Sequence, residues 1–186
     1  MKPIKDLPYR KGVGIMLFNK EKKIFVGKRL DNQSAWQMPQ GGVDGNENVL
    51  ETAKRELQEE TGITSIQIIK QSKKQYTYDL PESVRERIWK GKFKGQEQTW
   101  FLVKFLGEDK EINLQQKYPE FKDWKWVLIE ELENLIVPFN LKSPIMKNIY
   151  KLFPKGDDAV IADAILELFR KREDIDIFNK KALYIY

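Results

Sequence analysis

Neither cysteine nor histidine occurs among the 186 residues of this chain. The first absence excludes disulfides, thiolate metal sites and cysteine nucleophiles. The second removes imidazole as general acid, general base or metal ligand. Catalysis would then rest on carboxylates, lysine, arginine, tyrosine or a metal-acidified water. Any metal would be held by oxygen, which favours Mg2+ or Mn2+ over zinc. No run of about 18 apolar residues occurs, so no membrane span is expected. The opening "MKPIKDLPYRKG" has no apolar stretch of the kind a signal peptide needs, and the expected compartment is the cytoplasm. Charge of one sign is not strong either: the net +5 is a mild lean toward anionic partners and does not demand nucleic acid.

What is present suits a folded domain. Hydrophobic residues make up 41%, and five Trp, seven Tyr and ten Phe argue against disorder. "GVGIMLFN" (12–19), "KIFVGKRL" (23–30), "SIQIIKQ" (65–71), "QTWFLVKFL" (98–106) and "WKWVLI" (124–129) read as strands. Residues 31–48, with Pro39 and three glycines, read as a long loop, and 76–95 as a polar excursion. A helix is expected over 49–61, with Val49, Leu50, Ala53 and Leu57 on its buried stripe and Gly62 as its stop. Residues 143–153 read as helical. A further helix over 157–174 carries Val160, Ile161, Ala164, Ile165, Leu168 and Phe169 on one stripe. Strands mixed with helices predict an α/β or α+β domain, a sheet between helices.

The 49–61 helix carries an anomaly. Glu56, Glu59 and Glu60 share one face at spacings where like charges repel. Two of them sit at the negative end of the helix dipole. They lie mostly off the apolar stripe, and a divalent cation would turn their repulsion into shared coordination.

The surrounding residues make that reading specific. "GGVDGNENVLETAKRELQEETGI" places Gly41, Glu47, Arg55-Glu56, Glu59-Glu60 and Gly62-Ile63 at fixed intervals. The pattern resembles the Nudix box, G-x5-E-x7-R-E-U-x-E-E-x-G-U with U apolar, at every defined position. The resemblance implies the Nudix fold, a mixed sheet sandwiched between helices. It also implies hydrolysis of a nucleoside diphosphate linked to another group, with Glu56, Glu59 and Glu60 as catalytic metal ligands. Arg55 is expected to brace the loop by pairing with Glu47. Gly41 and Gly42 are expected to permit tight loop geometry, and Leu57 and Ile63 to belong to the core.

"PYRKGVGIMLFN", "WQMPQGGVD", "GQEQTWFLVKF" and "PEFKDWKWV" together resemble the bacterial RNA 5′-pyrophosphohydrolase group, which includes enzymes described as diadenosine polyphosphate hydrolases. The likeness runs from about Tyr9 to Tyr150. It implies Mg2+ as cofactor, Mn2+ as a substitute, and Glu120 as a further metal ligand or catalytic acid. Arg10 would meet a substrate phosphate, Lys28 or Arg29 would clamp phosphate, and Gln40 would line the site. Phe139 would stack on a nucleobase if it is not core, and Tyr78 has the same two readings. Trp36, Trp100, Trp124 and Trp126 are read as packing. The implied substrate is 5′-triphosphorylated or diphosphorylated RNA, left as a 5′-monophosphate that opens the way to decay. The alternative is diadenosine tetraphosphate, giving ATP and AMP. Neither DNA nor a membrane is implied as a partner, and monomer and homodimer both stay open. Where relatives carry a basic residue in the segment from Gln96 to Trp100, this chain has "QEQTW", and Glu97 and Thr99 weaken the expectation of a basic RNA track there. The expected division is a Nudix domain over 1–154 and a helical extension over 155–186, folded back onto the domain or met by a partner.

Overall fold

The computed structural model describes residues 6–32, 35–73, 75–80, 85, 89–128, 131–132 and 135. Its strands are β1 (Tyr9–Phe18), β2 (Ile24–Arg29), β3 (Trp36–Gln37), β4 (Gln40–Gly42), β5 (Ile66–Gln71), β6 (Tyr76–Asp79), β7 (Gly95–Phe105) and β8 (Phe121–Val127), with one helix, α1 (Val49–Thr61), between β4 and β5. They form one mixed sheet in the order β3-β2-β1-β7-β5, with β4 added to β1, β6 to β7 and β8 to β2.

The parallel pairing of β1 with β7 is the spine, in register from Tyr9 opposite Gly95 to Phe18 opposite Lys104. The other edge of β1 is shared. Its first half pairs with β4, from Gly12 opposite Gly42 to Gly14 opposite Gln40. Its end pairs with β2, Phe18 opposite Ile24. That split sets the glycines of β4 beside the start of β1.

Alternation along the strands sends side chains to two core layers. Val13, Ile15, Leu17, Phe25, Phe101 and Val103 face α1, where Ala53, Leu57 and Ile63 pack against them. Met16, Phe18, Ile24, Val26, Trp100 and Leu102 face the other way, with Met38, Tyr76, Val127 and Leu132. The second helical layer expected from 143–153 and 157–174, and the extension over 155–186, lie outside the described residues. No helix among the described residues is long and apolar enough to cross a membrane.

The helix has the expected limits. Asn48 Oδ1 accepts from the backbone N–H of Leu50 and Glu51, both at 3.0 Å. Gly62 ends the helix at φ 76°, its N–H donating to Gln58. Four expectations need correcting. The loop over 31–48 contains β3 and β4, and the excursion over 76–95 contains β6; these short strands are defined by their partners and not by apolar runs of their own. β1 and β7 begin three residues earlier than hydropathy suggests, because "YRKG" and "GQEQ" pair with each other through their backbones. Glu60 is not off the buried side of α1: it is 2% exposed. A charged residue three positions after Leu57 falls on the flank that β4 covers, which apolar periodicity cannot register.

Candidate active site

Glu56 and Glu60, one helical turn apart, bring their carboxyls from α1 against β4. A Cβ on Gly41 would come within 1.9 Å of Glu56 Cδ, so only a glycine lets that carboxyl lie on the strand backbone. The Gln40 N–H donates to Glu60 Oε2 at 3.2 Å. Glu60 Oε1 is buried and has no hydrogen-bond partner. Glu120 completes the group from the turn before β8. Its carbonyl accepts from the Leu30 N–H at 2.9 Å, and its carboxyl lies against that of Glu60. Burial, reinforced by the charges of Glu120 and Glu56, holds the Glu60 carboxyl far above the ordinary carboxylate range. Burial also pushes Glu56 up to about 7, with Arg55 pulling it back and Glu59 and Glu120 adding to the rise.

Arg55 ties the loop to the helix. Its Nε donates to Glu47 Oε1 and Oε2 at 3.0 and 3.2 Å. Nη2 donates to Glu47 Oε2 at 2.9 Å and to the Gly42 carbonyl at 3.0 Å. The guanidinium beside it holds the Glu47 carboxyl below its usual range. The expected brace is therefore present, and Arg55 reaches further. Nη1 lies 3.0 Å from Glu56 Oε1 and 2.9 Å from Glu59 Oε2, so one nitrogen spans two of the acids. Glu59 itself is exposed. Among the described residues no three acidic side chains are gathered closely enough to enclose a metal ion. The donor types still fit a hard divalent cation: a buried carboxyl with an orphan oxygen, the Glu120 carboxyl against it, the charge of Glu56 nearby, and no histidine or cysteine anywhere in the chain.

The opposite face of β4 is basic and amide-rich. A Cβ on Gly42 would fall 1.9 Å from Arg10 Nη2. The role of Gly41 and Gly42 is thus close approach within an extended strand and not a tight turn; neither has a positive φ. Gln98 Nε2 donates to Gln40 Oε1 at 3.0 Å and to Gln96 Oε1 at 3.2 Å, and the Tyr78 hydroxyl donates to Gln96 Oε1. Gln40 and Tyr78 are thereby joined through Gln96 and Gln98, both buried, which sequence reading passed over. The signal was available: alternate polar residues in the first half of a strand that turns apolar further on.

Lys28 and Arg29, adjacent on β2, point to opposite faces. Arg29 is engaged by Asp31 and donates to Gln37 Oε1 at 2.8 Å. The Lys28 ammonium lies over the Trp36 ring at 5.6 Å. Trp100 is buried, while Trp36, Trp124 and Trp126 are half-buried packing residues. Phe139 lies outside the described residues.

Comparison with known proteins agrees with this geometry. The NUDIX domain profile matches residues 8–153. A protein of Pelagibacter ubique (strain HTCC1062), named RNA pyrophosphohydrolase, is 51% identical over 137 residues, covering 73% of this chain and 87% of its own. One of the same name from Sphingopyxis alaskensis is 50% identical over 136 residues, covering 72% of this chain and 86% of its own. Among solved structures, the E. coli dihydroneopterin triphosphate pyrophosphohydrolase superposes with a TM-score of 0.57 at 18% identity, covering 72% of this chain and 91% of that one, a likeness of fold.

Proposed function

Because the chain belongs to the NUDIX domain family, we propose that it hydrolyses the phosphoric anhydride at the 5′ end of triphosphorylated or diphosphorylated RNA. Water oxygen bonds to phosphorus, the P–O–P bridge breaks, and a 5′-monophosphate end remains. The other product is pyrophosphate, or phosphate released stepwise. The observation that carries the chemistry is the buried Glu60 carboxyl, whose Oε1 lacks a partner and which meets the Glu120 carboxyl and the charge of Glu56, itself laid on the bare backbone of Gly41. The names of relatives at about half identity support RNA as the substrate.

Glu56, Glu59, Glu60 and Glu120 would hold Mg2+, with Mn2+ as substitute. The cation supplies charge neutralisation and acidifies water. The chain's own residues do the rest. Gln40 N–H fixes one Glu60 oxygen, leaving the other for ligation. Arg55 keeps the loop of Glu47 and Gly42 against α1. Arg10 offers a guanidinium fork to the phosphates, which strengthens as charge develops on them. Gln40, Gln96, Gln98 and Tyr78 provide a polar floor beside it.

The test is product analysis in Mg2+ with triphosphorylated short RNA and diadenosine tetraphosphate offered in parallel. Faster release of pyrophosphate or phosphate from the RNA, lost in Glu60→Gln, is expected. Conversion of the dinucleotide to ATP and AMP with the RNA untouched would overturn the RNA assignment.

A further inference from the structure

Arg10 differs from Arg55 and Arg29 in one respect. Those two are committed to carboxylates, whereas no hydrogen bond or ion pair engages Arg10 among the described residues. Its one close aromatic neighbour in that set is Trp89, whose ring lies 5.1 Å from the guanidinium carbon. A ring over the face of a guanidinium uses the face alone and leaves the in-plane N–H donors for another group.

Trp89 is placed there by an unusual turn. Trp89 and Lys90 both have left-handed backbones, φ 49° and 55°, in a region that non-glycine residues enter at a cost. The turn is tied down on both sides. Lys92 N–H donates to the Trp89 carbonyl at 3.1 Å, Lys94 N–H to the Pro8 carbonyl at 3.0 Å, and Leu80 N–H to the Lys94 carbonyl at 2.9 Å. The Lys94 ammonium sits 4.5 Å over the ring of Tyr9, the neighbour of Arg10. Phe93 meets the Trp89 ring edge-on, with centroids 5.8 Å apart. Neither ring belongs to the two core layers. The strained turn thus carries a large side chain that is half-buried and aimed at a strand residue beside β4.

We propose that Trp89 is a positioning residue for substrate binding. Its ring holds the Arg10 guanidinium at the Gly42 side of the site, with the donor edge preset for a terminal phosphate. This rests on the reading of Arg10 as a phosphate contact, and the test separates the two.

Steady-state kinetics on triphosphorylated RNA are measured for wild type, Trp89→Leu, Trp89→Phe, Arg10→Gln and the Arg10→Gln/Trp89→Leu double variant, each checked for folding by thermal unfolding. Trp89→Leu is expected to lower kcat/KM about tenfold, mainly through KM. Trp89→Phe keeps most of the activity because it keeps a ring face. In the Arg10→Gln background the leucine substitution adds less than about twofold, since the two residues act as one unit. Equal losses in both backgrounds, or a Trp89→Phe as damaged as Trp89→Leu, would overturn the proposal. An unimpaired Arg10→Gln would remove the phosphate reading and this inference together. An impaired Arg10→Gln with an unimpaired Trp89→Leu would remove the inference alone. Should Trp89→Leu fail to fold, Phe93→Leu, which withdraws the edge contact on the Trp89 ring, is read in the same two backgrounds with the same outcomes.

Discussion

Glu60 spends most of its surface inside the protein, and its ionisation is opposed by burial and by two neighbouring carboxyls. Without a cation, both Glu60 and Glu56 take up protons more readily in the folded chain than in the unfolded one. The folded state therefore gains stability below the ordinary value of 4.5 and loses that gain as pH rises through the folded values, about 7 for Glu56. Glu60→Gln keeps the shape and removes one charge. In metal-free buffer the variant is expected to become progressively more stable than wild type as pH rises above 4.5, where the unfolded chain has given up the proton that folded Glu60 keeps. Denaturant midpoints at several pH values check this, and a gap that narrows with rising pH would show that Glu60 is not held protonated. The same variant should lose at least about 100-fold in turnover, as expected for removal of a metal ligand. That Glu56 and Glu60 share one face of the helix was legible from their spacing. The depth of Glu60 was not, because it depends on β4, a three-residue strand too short to show in the sequence.

At the scale of the element, α1 is the best specified piece of the chain. Its apolar spacing and glycine stop define both ends in the sequence, and the structure returns 49–61 unchanged. Its cap was overlooked, since Asn48 sits in a stretch crowded with other turn-forming residues. Asn48 Oδ1 accepts two N–H groups of the first turn. Asn48→Ala is expected to cost about 1 kcal/mol of stability in urea unfolding. It should leave kcat nearly unchanged, because Glu47 and Arg55 still secure the loop. A cost near zero would mean that the ion pair alone holds the helix start. The strands β3, β4 and β6 were missed for one physical reason. Each has two to four residues, too few to show alternation, and each exists because a longer strand offers it an edge.

For the whole molecule, the carboxyl cluster is a local cost that a bound cation would reverse. Nudix hydrolases generally use divalent cations, and a ligand that binds only the folded state stabilises it by mass action. At about 100 times its dissociation constant the gain is about 2.7 kcal/mol, which for a chain of this size corresponds to about 5–10 °C in Tm. Thermal unfolding with and without Mg2+ or Mn2+ should show that rise in wild type and little of it in Glu60→Gln. An equal rise in both would place the cation elsewhere. The general architecture was readable because long apolar strands and a fully spaced box leave few alternatives. The two-sided arrangement was not, since the division into an acidic face and an amide-rich face depends on β4 lying between Glu56 and Arg10. The parallel pairing of β1 with β7 has a further consequence, in time. During synthesis β1 emerges early, yet its partner arrives only after β2 to β6 and α1 have been made. The helix bearing the glutamates is thus made after β1 to β4 but before the central strand β7, so the least comfortable charges in the protein can stay hydrated until that strand completes the sheet.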